Sequence, residues 1–257
     1  MANYLKSEWY RVCRSKVVLV FTLIFAGVTL AGNILLSVIG STDPEFFYNT
    51  VRFSLSNLLA MMVALFFIAG VLITRLHPND LGNGIIKNAV MGGMPRWQLF
   101  TAKTLVGIGV GLVSMAVILL VYIGSAVLLL KGPSTEIILI LLGGVAAALP
   151  SIIAVVILAI VCLHVFSNAS WSFFLWLSIV FVVPTIFQVL GLYFEPLALV
   201  ASWLPTNFFQ NEVMITLSSH EVLWETSSGL AKCLIAGTGF SLLFFAAGLW
   251  QAKRIEL

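Results

Sequence analysis

Residues 137–165 read IILILLGGVAAALPSIIAVVILAIVCLHV, with no Asp, Glu, Lys or Arg among them. The hydrocarbon core of a bilayer is about 30 Å thick and a helix rises ~1.5 Å per residue, so roughly 20 apolar residues cross it. The stretch Ile137–Val165 is long enough to tilt or to project beyond the membrane. Five more stretches qualify on either side of it: Val17–Ile39, Phe53–Ile73, Thr104–Leu130, Trp171–Tyr193 and Leu230–Trp250. The composition agrees. Of 257 residues, 61% are hydrophobic and 9% are charged, where a soluble domain carries about 25%. A water-facing surface could not be built from so few polar groups. The expected fold is an all-α membrane protein with six transmembrane helices. Pro150 and Pro184 each remove a backbone donor inside a span and are expected to kink it.

The charges orient the bundle. With the N-terminus in the cytoplasm, the inner segments hold Lys6, Arg11, Arg14, Lys16, Arg75, Lys87, Arg96, Lys103, Lys253 and Arg254, ten of the 13 basic residues. The outer segments hold Arg52, Lys131 and Lys232. Lys and Arg in short loops set orientation, so both termini are expected to face the cytoplasm of a multi-pass plasma-membrane protein. The first sixteen residues are polar, and no cleavage site for a signal peptide is evident.

Four segments lie outside the spans. Residues 1–16 read as an amphipathic helix in the inner interface, ahead of a six-span unit over 17–257. Leu5, Trp9, Val12 and Cys13 share its expected apolar face, with Trp9 and Tyr10 at headgroup depth. The inner loop 74–103 is far longer than a connection requires. Asn79 or Asp80 can cap a short cytoplasmic helix carrying Leu81, Ile85 and Ala89 on one stripe. Gly92-Gly93 ends that helix, and Pro95 suits the start of the next. The inner link 166–170 is short and brings the fourth and fifth spans together near His164. The outer segment 194–229 is aromatic-rich, with Phe194, Trp203, Phe208, Phe209 and Trp224. Its residues leave two readings open, an interface-hugging loop or an outer lid folded between spans.

The search for chemistry returns little. His220-Glu221 begins like a zinc-protease helix, but Trp224 stands where the second His is needed. Neither His77 nor His164 has a carboxylate or thiol at ligand spacing. Cys13, Cys162 and Cys233 match no metal or redox motif. There is no nucleophile elbow and no phosphate-binding Gly-x-x-x-x-Gly-Lys-Ser/Thr loop. No catalytic residue, metal or cofactor is therefore expected on this chain. The spans carry almost no ionisable group at depth, which weakens a proton- or ion-coupled carrier. Asn33, Asn57 and Gln188 are the neutral polar residues at depth. Each either bonds between helices or lines a pathway.

The loop carries a resemblance. Gly84, Ile86, Lys87 and Asn88, followed by Gly93, Arg96 and Lys103, resemble the inner loop of ABC-2 type permeases, especially those of peptide-antibiotic export, lantibiotic immunity and bacitracin-like resistance. Pro95 stands where that family often has Ser, and His77-Pro78 is not part of its pattern. The resemblance implies an interfacial elbow helix, six spans and a coupling helix. It also implies a cytosolic ATP-binding subunit in two copies, which carries the ATP and Mg, and a second permease, identical or related. Asp80, Lys87, Asn88 and Arg96 are then the candidates for coupling to the ATPase. Membrane lipid surrounds such a protein, and no nucleic-acid partner is expected. The expected function is export of an amphipathic peptide antibiotic, drug or lipid-like compound. The alternatives are an ion-coupled or facilitative carrier acting alone and an intramembrane enzyme or assembly factor. The orientation has a direct test. A reporter that folds only in the cytosol, fused after Leu257, is expected to be active, and activity of an exported reporter there would reverse the assignment.

Overall fold

An apolar backbone in a bilayer must satisfy its own donors and acceptors, and helices do so within one segment. A computed structural model describes residues 2–43, 45–76, 90–91, 93–166, 168–216 and 219–254. Helix α1 (Ala2–Cys13) leads into α2 (Lys16–Thr42), the first span, whose start is capped by the Ser15 hydroxyl accepting the Val17 amide at 3.2 Å. Helices α3 (Val51–Ala60) and α4 (Val63–Leu76) follow, then α5 (Arg96–Leu129) and α6 (Thr135–Val165), the third and fourth spans. The fifth span comprises α7 (Ala169–Leu177), a π-helical turn at Ser178–Val182 and α8 (Val183–Gly191). Outside it lie α9 (Glu195–Ser202), α10 (Pro205–Asn211), strands β1 (Val213–Ile215) and β2 (His220–Val222), and a 3₁₀ turn at Leu223–Glu225. Helix α11 (Ser227–Arg254) is the last span. Five of these segments are long and apolar enough to cross a membrane, and α3 with α4, counted as one span, make six.

Three features depart from the sequence expectation. The second span is not one helix over Phe53–Ile73 but a pair bent by 67° across Met61 and Met62. Neither Gly nor Pro stands at that break. Met62 is fully buried against Gly144 beside Trp224, while Met61 turns outward at 67% exposure. The third span starts at Arg96, well before Thr104, with Pro95 as its N-cap residue and Gly93 turning the chain at φ +85°. The outer segment contains a small antiparallel hairpin pairing Val213 with Val222 and Ile215 with His220. The coupling helix expected around Asp80–Ala89 lies outside the described residues.

Helix α6 is the hub. Of its most apolar 18 residues 72% are buried, against 11% for α2. It packs on α4, α5, α7 and most extensively on α11, while α2 packs mainly on α5. The helix runs unbroken through Pro150, whose carbonyl accepts the Ser241 hydroxyl of α11 at 3.0 Å. The two helices meet closely there because Gly237 has no side chain. A Cβ at that position would lie 2.7 Å from the Ser151 amide nitrogen.

Trp176 ties three spans together. Its indole is fully buried and donates to the Val155 carbonyl of α6 at 3.2 Å. Its ring covers Gly70 of α4, where any Cβ would collide with it. Gly27 on α2, by contrast, faces open space. Gly70→Leu is therefore expected to destabilise the protein by ~1–3 kcal/mol or more through overpacking. Gly27→Ala should be neutral or stabilising by up to ~1 kcal/mol from helix propensity. Thermal unfolding of the detergent-purified variants checks both. Equal stability of the two would show that the Gly70–Trp176 contact is not structural.

Candidate functional site: inner face and outer cap

At the end of the bundle that carries both termini, called the inner face after the charge distribution, α1 lies against α5. Its buried side is Leu5, Glu8 and Val12, one residue per turn, with Glu8 only 4% exposed. Cys13 is exposed, and Trp9 and Tyr10 are 44% and 59% exposed. An acid can occupy that side because its own helix satisfies it. Glu8 accepts the Tyr4 hydroxyl at 2.8 Å and forms an ion pair with Arg11 at 2.7 Å. The edge of the Trp9 ring sits over Gly109 of α5. Arg14 stacks over Tyr10 at 4.7 Å, a cation–π contact that suits a headgroup region.

Arg96 opens α5, half-buried at the inner edge. Lys103, two turns on, is 2% exposed. The sequence presents it as a topology anchor, yet its side chain is held inside the fold. Phe100 between them packs at 5.6 Å from both His164 of α6 and Phe245 of α11. The inner ends of the third, fourth and sixth spans thus meet on one ring. Asp80, Lys87 and Asn88 lie outside the described residues.

The three polar candidates at depth occupy separate places. Asn33 is 1% exposed and fully engaged between helices. Its amide donates to the Tyr122 carbonyl at 3.1 Å and the Ser125 hydroxyl at 2.7 Å, and its carbonyl accepts the Ser54 hydroxyl at 2.6 Å. It clasps spans one, two and three. Asn57 is exposed and bonds its own helix at the Phe53 carbonyl, 3.1 Å away. Gln188 is exposed near the outer end of the fifth span and reaches Asn211 at 3.4 Å. The structure does not bring these three together around one cavity.

Two residues that organise the outer half, Thr206 and Asn207, were not among the sequence candidates. Pro184 has no N–H, so the Val180 carbonyl four residues earlier loses its helical donor. Such breaks accompany π-helical turns, and Ser178–Val182 is one. Thr206 of α10 supplies the missing donor, its hydroxyl reaching the Val180 carbonyl at 2.7 Å. Asn207 donates to the carbonyls of Pro184 and Ala201, both at 3.0 Å. Both side chains are buried, and the signal was present in the sequence as a Pro-Thr-Asn run opposite an intramembrane proline. Phe208 and Phe209 follow them inward, with Phe209 edge-on to Phe66 at 5.7 Å. Trp224 packs onto Gly143 and Gly144 of α6.

The outer segment therefore divides. Residues of α10 and Trp224 fold between spans, while Phe194 and Trp203 remain 58% and 42% exposed for the interface. A charged seam crosses its edge. Glu136 lies 3.9 Å from Arg52 and 3.8 Å from His220, whose other ring nitrogen bonds Glu225 at 3.1 Å. Lys232 pairs with Glu212 beside it. Replacing both keys, as Thr206→Val with Asn207→Ala, leaves buried carbonyls unpaired at ~1–3 kcal/mol each. Amide hydrogen exchange across α9 and α10 is expected to speed at least about tenfold, and unchanged exchange would show that α10 is held by its aromatics alone.

The geometry is that of a membrane bundle with an amphipathic elbow, a long third span reaching the inner face and no catalytic constellation among the described residues. No curated protein and no solved structure matches the chain. A family model described as "ABC-2 family transporter protein" matches residues 4–188, from the elbow helix through most of the fifth span. The match covers well over half of the sequence, and the chain belongs to the ABC-2 family of transporter membrane proteins.

Proposed function

We propose that the chain is the permease half of an ATP-driven exporter that moves an amphipathic peptide antibiotic, drug or lipid-like compound out of the membrane or cell. The observation that carries this reading is a family of transporter membrane components joined to spans without an energy source of their own. Every Asp, Glu, Lys and Arg near a span stands toward one of its ends, and the sequence has no phosphate loop. The drive then comes from a partner. Two permease halves, identical or related, and two cytosolic ATP-binding subunits holding ATP and Mg complete the machine, with a two-fold axis along the pathway if the halves are identical.

The third span supports a mechanical route. Helix α5 has 34 residues, about 50 Å at the helical rise and longer than the ~30 Å core. Its inner end, from Arg96, leaves the membrane as a rigid continuation of the span. Residues 77–89, with Asp80, Lys87 and Asn88, connect α4 to that end. A helix there that docks into a cleft on the ATPase would move α4 and α5 together. Lys87 suits an acidic or carbonyl-lined cleft, and Asn88 can donate and accept.

Lys87→Glu combined with Asn88→Ala should leave the protein inserted but abolish motor binding or uncouple ATP hydrolysis from transport. Arg96→Gln should be milder. Pull-down of the ATP-binding subunit, with ATPase and transport assays on the reconstituted complex, reads the result. Unchanged binding and transport in the double variant would remove this loop as the coupling element.

A further inference from the structure

The fifth and sixth spans both lean on α6 and pack little against one another. Between them is a cleft of ≈ 200 Å³ whose floor is Ser151, Ala154 and Leu158 of α6. One wall is the Pro184 break, and the other is Phe240 and Phe244 of α11, stacked at 5.8 Å. Leu204, Pro205 and Thr206 at the start of α10 roof it from the outside. Ser151 is the seventeenth residue of a 31-residue helix, so the floor lies near mid-membrane. Val183, on the wall, is 37% exposed, and both phenylalanines are only half-buried. The open side therefore lies on the flank of the bundle, while the other end is closed by α10.

The polar chemistry of the cleft comes down to one group. Thr206 spends its hydroxyl on Val180. Ser178, Thr185 and Thr238 in the flanking helices return theirs to carbonyls three or four residues back, the usual solution for a hydroxyl on a helix. Ser151 does not. It is fully buried, lines the cleft, and its Oγ has no hydrogen-bond partner. A buried hydroxyl without a partner costs free energy, and more so in a medium without water. An apolar cavity of about 150 Å³ is already large enough to hold benzene. This cleft exceeds that, is lined almost wholly by carbon, and has one side-chain hydroxyl without a partner in its floor.

The geometry points to a binding site for the apolar tail of an amphipath dissolved in the bilayer, with the Ser151 hydroxyl bonding one polar group on that tail. This deepens the export reading and rests on it for the cargo, but binding itself requires neither ATP nor a partner subunit. Failure here and failure of export are therefore separable. The α10 roof gives the site a direction. A ligand enters sideways from lipid and meets a closed outer end, which opens only when Thr206 and Asn207 release the Pro184 break.

The test uses the full chain in phosphatidylcholine nanodiscs, with a diazirine-bearing decanol as probe and 1-decanol and decane as competitors. Photolabelling is expected to concentrate on peptides holding Ser151–Leu158, Val180–Pro184 and Phe240–Phe244. Ala154→Trp, which fills the floor, should reduce it at least tenfold. Val183→Trp at the exposed mouth should do the same without touching the core, should the first variant fold poorly. Ser151→Ala should weaken competition by 1-decanol about fivefold, one buried hydrogen bond, and leave competition by decane unchanged. Labelling spread evenly over lipid-facing positions such as Leu23 and Leu242, insensitive to either Trp, would overturn the site. So would a phospholipid that co-purifies by native mass spectrometry and is not displaced by decanol, since the cleft would then hold structural lipid.

Discussion

In the hydrocarbon core no water can satisfy a backbone carbonyl, and Pro184 leaves the one at Val180 without its helical donor. The bundle answers by sending part of its outer segment inward. Thr206 and Asn207 bond the broken stretch of the fifth span, and this places Phe208 and Phe209 in the core and the Leu204–Thr206 turn over the cleft. A residue that ordinarily weakens a helix here becomes the socket for a cap. The cleft lies beside this stretch, between two spans that share α6 as a neighbour.

Close approach elsewhere depends on what is missing from side chains. Between lipid-bathed helices there is little hydrophobic gain from association, so packing and interhelical hydrogen bonds hold the bundle. Gly237 lets α11 reach the backbone of α6 at Pro150, and Gly70 accepts the face of Trp176. Asn33, Ser54, Tyr122 and Ser125 supply the polar counterpart, a clasp across the first three spans. Together these contacts leave α6 at the centre, while α2, the fifth span and α11 keep broad apolar faces outward. In a transporter of two membrane halves, one or more of those faces would meet the other half, and the rest would meet lipid.

The inner side has a different economy. The elbow helix is part of the packed bundle. It is bound to α5 through Val12 and the Trp9–Gly109 contact, with Glu8 neutralised inside its own turn. Phe100 joins the third, fourth and sixth spans at the same level. Movement of α5 at its inner end would therefore be felt by the elbow, by α6 at the floor of the cleft and by α11 on one of its walls.

Much of this was legible in the residues alone, for a physical reason: length and apolarity are one-dimensional properties. Long charge-free runs such as 137–165 must be helices that cross a bilayer, and the short polar stretches between them must be the connections. An all-α membrane fold and the approximate span limits followed from these. Which polar residue serves which purpose was not legible, because that depends on what faces it across space. Asn33, Asn57 and Gln188 look alike as intramembrane amides, yet only Asn33 joins spans. The break at Met61–Met62 has no Gly or Pro to announce it, since it arises where Met62 is drawn against Gly144 and Trp224. Thr206 reads as an ordinary loop residue until Pro184, 22 positions earlier, is seen to lack a donor. The sequence by itself determined the membrane-spanning architecture. The tertiary structure alone decided the partnerships, because hydrogen bonds and close packing are made between segments whose mutual placement no local pattern records.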